Sequence, residues 1–146
     1  MSRPIMHASD FSSASRAAFA KAVELAKRDR APLLIAHVMS PPLPMLGDGY
    51  VSPAAWDEIQ RGYRTSSQKK LDALVARAKA AGVRARGVLL EGQAHERIVR
   101  TAKAQRARLL VVGTHGRTGL TRFLIGSVAS RIVATAACPV VTVRGR

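Results

Sequence analysis

Gly113, Gly116, Gly126 and Ser127 form the pattern G-x2-G-x9-G-S within "GTHGRTGLTRFLIGS", directly ahead of "VASRIVATA", which reads as a helix. Two kinds of chemistry use glycines placed this way. A residue without Cβ reaches positive φ at little cost, so a glycine can simply serve a tight turn. Glycine at the entry to a helix also leaves backbone N–H groups bare, and these, with the helix dipole, favour an anion such as a phosphate. Arg117 and Arg122 fall inside the long gap, where they can pair with phosphate oxygens or stay in solvent. His115, between the first two glycines, can donate to a phosphate, and a turn-stabilising role is the plainer expectation.

Other site chemistries lack their residues. The phosphate-loop pattern G-x-x-x-x-G-K-[ST] and the dinucleotide pattern G-x-G-x-x-G after an early strand are both missing. "HERIV" begins like a zinc-binding H-E-x-x-H but carries Val99 where the second histidine belongs, and G-x-S-x-G does not occur. His7, His37, His95 and His115 lie in separate segments with no acidic neighbour at catalytic spacing, so each reads as structural or solvated rather than as a general base. No catalytic residue and no protein-ligated metal are therefore expected. Cys138 is the single cysteine; it can form neither an internal disulfide nor a multi-cysteine zinc site, and it reads as a small buried hydrophobe in a reducing compartment.

The elements that must position these residues alternate regularly. "PIMHAS" is a short apolar run, followed by "DFSSAS", whose aspartate and serines can cap a helix. Ala18, Ala22, Leu25 and Ala26 make one apolar helical stripe, which Pro32 closes, and "LLIAHVM" is a strand of the kind covered on both faces. Ser40 to Pro53 is a proline- and glycine-rich loop, a candidate lid. A helix from about Pro53 carries Leu71, Leu74, Val75 and Ala78 until Gly82 ends it. "VRARGVLL" reads as a strand near a sheet edge, "QAHERIVRTAKAQ" as a helix, "RLLVV" as a buried strand, Ser127 to about Ala136 as a helix and "PVVTV" as a last strand. The order βαβαβαβαβ implies a parallel sheet with helices on both faces. Ligands of such sheets bind beyond the strands' carboxyl ends at a switch in strand order, where Asp10 and Gly113 fall.

At 146 residues and 47% hydrophobic content the chain is expected to be one domain with a real core, residues 1–146. No apolar run reaches membrane-spanning length and "MSRPIMHASD" has no signal-like segment, so a cytoplasmic location and no membrane partner are expected. The net charge of +15 points to polyanions, but only 4% of residues are aromatic, which supplies single-strand stacking poorly. Arg97, Arg100, Lys103 and Arg106 recur every three residues, as a solvated helix face does. No specific nucleic-acid partner is expected.

The glycine pattern resembles that of the universal stress proteins, a small α/β family with ATP-binding members, and the likeness covers nearly the whole chain. "SDFSSASRAAFAKAVELAKR" is similar to the family's opening strand–aspartate–helix segment, "LLIAHV" to its second strand and "ACPVVTVR" to its closing strand. The resemblance implies a Rossmann-like three-layer sandwich, a five-stranded parallel sheet in the order 3-2-1-4-5, with the nucleotide at the gap between strands one and four. Carried over by position, Ala8, Ser9 and Asp10 line the ribose and adenine end and the Val38 backbone meets the adenine edge. Gly113 lets the chain pass close to the ribose. Gly116, Gly126 and Ser127 face the phosphates, and Val128 adds a backbone donor. The implied ligand is ATP, ADP or AMP, with or without Mg²⁺, and the implied assembly is a homodimer through the last strand. Three readings of function follow: a nucleotide-binding regulatory or stress-response protein first, then a slow ATPase or self-phosphorylating enzyme with Ser127 or a nearby threonine as acceptor, then a polyanion-binding module.

Overall fold

The computed structural model describes residues 2–40, 51–115 and 125–145. The elements are β1 (Ile5–Ala8), α1 (Ser15–Asp29), β2 (Leu33–Met39), α2 (Pro53–Ala80), β3 (Ala85–Glu91), α3 (Ala94–Ala104), β4 (Leu109–Gly113), α4 (Ser127–Thr135) and β5 (Val140–Val143). Every neighbouring strand pair is parallel and the sheet order is β3-β2-β1-β4-β5, as the resemblance implies. "VRARGVLL" does supply an edge strand, starting at Ala85. The candidate lid falls mostly on residues 41–50, outside the described residues.

Alternation along the strands divides the core in two. Ile5, Leu33, Ile35 and Val111 face α1 and α2, where they meet Phe19, Leu25, Leu71 and Ala78. Met6, Leu34, Ala36, Leu110 and Val112 face α3 and α4, against Ile98, Ala102, Ala129 and Ile132. Both faces of β1, β2 and β4 are thus covered, which is why these strands read as unbroken apolar runs. Cys138 packs half-buried against the second cluster, and burial pushes its thiol pKa up, away from the reactive thiolate.

The helix starts differ in how they are capped. Ser52 caps α2 by accepting from the Ala55 N–H at 3.1 Å, with Pro53 in the first turn. Ahead of α1, Ala14 occupies the cap position and caps nothing; the Ser12 hydroxyl instead accepts from the Ser15 N–H at 3.3 Å while itself bonded to Asp10. The Asp–Ser pair therefore shapes the turn after β1 as well as the helix entry. At the other end of the chain Gly145 packs directly on this entry: a Cβ there would stand 2.6 Å from the Ala14 carbonyl oxygen and 2.8 Å from its Cα.

His7 sits in the middle of β1, fully buried, with its ring 5.9 Å from that of Phe19. Its Nδ1 lies 3.0 Å from the Val111 carbonyl oxygen, which can only accept, so Nδ1 carries the hydrogen. Nε2 has no partner and would bury an unpaired charged N–H if protonated. Burial accordingly lowers the His7 pKa from 6.5 to about 4, against smaller opposing effects of the Val111 bond and Asp10.

Two outcomes are expected. The unfolded chain binds a proton at His7 that the folded chain refuses, so stability is full above pH 6.5 and falls as the pH drops towards 4. From pH 6.5 to 5, above most carboxylate titration, this loss amounts to about 2 kcal/mol. Urea unfolding of the parent and His7→Gln across that window should show a slope in the parent that the variant lacks. Gly145→Ala should destabilise by about 1–3 kcal/mol through forced backbone movement, measured the same way at neutral pH.

Candidate functional site

A cavity of about 430 Å³ opens beyond the carboxyl ends of β1, β2 and β4. β1 is the strand from which the chain runs first to one side of the sheet and later to the other, so this is the switch in strand order. The volume falls within the roughly 300–1,000 Å³ typical of small-molecule sites. Ala8, Ser9, Asp10, Val38, Gly113, Gly126, Ser127 and Val128 all line it, drawn from four separate segments. Gly116, Arg117 and Arg122 lie outside the described residues.

The turn after β1 forms one wall. One carboxylate oxygen of Asp10 accepts from the Ser12 N–H at 2.9 Å and the Ser12 hydroxyl at 2.5 Å, which fixes the carboxylate's orientation. The Ser9 hydroxyl accepts from the Phe11 N–H at 3.1 Å and lies 3.3 Å from the Ser15 hydroxyl. The Ser15 hydrogen already goes to the Ser12 carbonyl, so Ser9 is the donor to Ser15.

Ser15 and His37, which the sequence offered only as a capping serine and a structural or solvated histidine, also line the cavity. His37 Nδ1 lies 2.7 Å from the Ser9 carbonyl oxygen and donates to it, tying β2 to the turn. Its ring stacks on Phe11, with centroids 4.1 Å apart. Phe11 holds φ at +64°, a left-handed conformation that costs a bulky residue about 1–3 kcal/mol. The Ser9 hydroxyl and the His37 ring hold it there, and Lys70 of α2 stands 6.0 Å from its ring centroid on the way.

The opposite wall is the start of α4. Gly126 is buried and takes φ −61° and ψ 158°, ordinary extended backbone that any residue adopts, so positive φ is not the reason for glycine here. Its N–H donates to the Thr114 carbonyl at 2.6 Å, which fastens the helix entry to the end of β4. Among the described residues no side chain caps α4, and no acidic residue occupies its first turn. The first N–H groups of a helix have no intrahelical acceptor, and the partial positive charge of this end faces the cavity. Ile98, Ala94, Val112 and Ile132 supply an apolar floor. The site thus offers a carboxylate and turn at one side, an apolar bed, and uncapped backbone donors at the other.

Asp10 is the carboxylate among the described residues lining the cavity, and none of them form a group of three or more His, Cys, Asp or Glu that could hold a metal ion. A divalent cation would need phosphate oxygens for most of its ligands. Among the described residues no helix is long and apolar enough to cross a membrane.

A cavity beside a helix start at the switch point of a doubly wound parallel sheet is the ligand-site arrangement of the α/β class. The universal stress protein family pattern matches residues 1–144, and the chain belongs to that family. It is 32% identical to universal stress protein YxiE of Bacillus subtilis strain 168, over 99% of this chain and 100% of that one. It is 36% identical to universal stress protein MJ0531 of Methanocaldococcus jannaschii over 66% of this chain, a stretch spanning 56% of that relative's length. A universal stress protein solved in complex with cAMP superposes with a TM-score of 0.72 at 25% identity, covering 99% of this chain and 98% of the other.

Proposed function

We infer that this chain is an adenine-nucleotide-binding regulatory protein, in which occupancy by ATP, ADP or AMP sets its conformation or choice of partner. The observation that carries the reading is the uncapped start of α4, at Gly126 and Ser127, facing the turn of Asp10 across an apolar cavity. The relative solved with cAMP supports an adenine nucleotide as the ligand. Ala8, Ser9 and Asp10 receive the base and ribose, and the Val38 backbone meets the adenine edge. Gly113 lies beside the sugar, and Gly116, Gly126, Ser127 and Val128 receive the phosphates. Where Mg²⁺ binds with the nucleotide, the phosphates would hold it, and Asp10 is the carboxylate among the described residues lining the cavity. The unit is one domain over residues 1–146, and it works in the cytoplasm. Among the described residues β5 pairs with β4 alone, which leaves an edge suited to a second copy, and the assembly is a homodimer through β5.

Gly126→Val should abolish ATP binding in titration calorimetry while keeping the thermal midpoint, because valine accepts this backbone but fills the space phosphate oxygens need. Ser127→Ala should weaken binding about ten- to a hundredfold, the worth of one hydrogen bond to a charged group. Unchanged ATP affinity in Gly126→Val would overturn the reading. Label transferred from γ-labelled ATP to the protein would point instead to a self-phosphorylating enzyme. Sedimentation at micromolar concentration should show a species twice the 15.6 kDa chain mass, and a monomer alone would refute pairing through β5.

A further inference from the structure

The parallel sheet also gathers the amino ends of its strands, at the edge opposite the cavity, and that edge is built of cations. Arg3 leads into β1, Arg84 and Arg86 stand at the start of β3, and Arg108 precedes β4. Arg30 and Arg106 occupy the turns that follow α1 and α3. All six are exposed. Main-chain bonds from Leu33 to Arg84, from Ile5 to Pro32 and from Arg108 to Pro4 stitch these starts into one continuous rim. Asp29 is the acidic residue at this edge, and Arg28 and Arg108 already flank it at 2.9 and 3.7 Å.

Helix dipoles explain only part of this. The basic residues in the last turns of α1, α2 and α3 complement the partial negative charge of those helix ends. Arginines that lead into strands have no such reason to be there. Arg30 and Arg106 add a second argument, since both hold positive φ, +52° and +55°. The turn after α2 uses Gly82 at +91°. Glycine is the cheap residue for such positions, so at two of the three turns the chain carries a long cation in a backbone state that disfavours it. Several guanidinium groups are also held in place: Arg3 donates to the Arg106 carbonyl at 2.9 Å, and Arg86 donates to Gln105 at 2.6 Å.

We propose that this edge binds the phosphodiester backbone of duplex nucleic acid without reading its sequence. Arginines recur on β3, β1 and β4, with Arg30 at the start of β2 between them, so the row spans three strand spacings, about 15 Å. Duplex DNA carries one charge per roughly 1.7 Å of axis, so about nine phosphates lie along that length and about four face the protein. The edge offers guanidinium forks that match phosphate oxygens and no aromatic platform, which favours a stacked duplex over splayed single strands.

The test is fluorescence anisotropy of a labelled duplex two helical turns long, with the full chain and no nucleotide. Four contacts give a slope near −3.6 in log K against log salt, about a hundredfold loss from about 50 to about 200 mM. The triple variant Arg30→Gln, Arg84→Gln, Arg106→Gln removes half of the six arginines and should retain about two contacts, so its loss over the same range shrinks to about twelvefold. These side chains are exposed, and an unchanged thermal midpoint would confirm that the variant is folded. Arg61→Gln, Arg64→Gln, Lys69→Gln, on α2 and well before its end at this edge, should keep the parent's slope. A triple variant that tracks the parent, or a slope lost only in the α2 variant, would overturn the proposal. Tighter binding to phosphatidylserine vesicles than to the duplex, at equal anionic charge, would overturn it as well.

Discussion

The structure depends on one short strand paired on both sides. β1 has four residues, and Ile5, Met6 and His7 each stand between a partner in β2 and a partner in β4. Bonds from Ile5 to Pro32 and from Ser9 to Ala36 extend the pairing just past both ends. Since the chain departs from β1 to one side and returns to its other side through β4, the crossovers diverge there and leave a gap above its carboxyl end. The cavity is therefore a product of topology before it is a product of any particular side chain. The same centrality explains His7: a ring at the middle of the middle strand is buried, and burial favours its neutral form down to a pH of about 4.

Much of this was legible in the residues. The Leu33–Met39 run and the Ala18, Ala22, Leu25, Ala26 stripe announced a doubly covered strand and a helix, and the pattern of alternation was enough for a parallel sheet. The strand order was not, because β1, β2 and β4 are apolar on both faces and their composition does not say which lies beside which; the resemblance supplied it. Gly126 and Ser127 stood out by spacing, and the turn at Asp10 by its position. Phe11 and His37 did not. Their contact joins residues far apart in sequence, and nothing about a phenylalanine signals positive φ. The arginines escaped notice as a group for a related reason. In sequence they are scattered, and they become neighbours only when the strands align their starts.

The two ends of the strands thus differ in what they gather. Helix starts, with Asp10, Glu91 and Glu96 near them, lie towards the cavity end, while helix ends and strand-leading arginines lie at the other. An antiparallel sheet of the same composition would mix the two. Parallel strands make the chain polar along one axis, so the arginines that lead into strands collect at the end opposite the cavity.

Gly145 turns the far end of the chain into part of the site's frame. With no side chain between them, the backbone after β5 rests on Ala14, and Ala14 immediately precedes Ser15, whose hydroxyl bonds to Ser9 on the cavity wall. Any side chain at position 145 would force the two backbones apart, so the absence of one is what lets the segment after β5 close against the helix entry that borders the turn of Ser9 and Asp10.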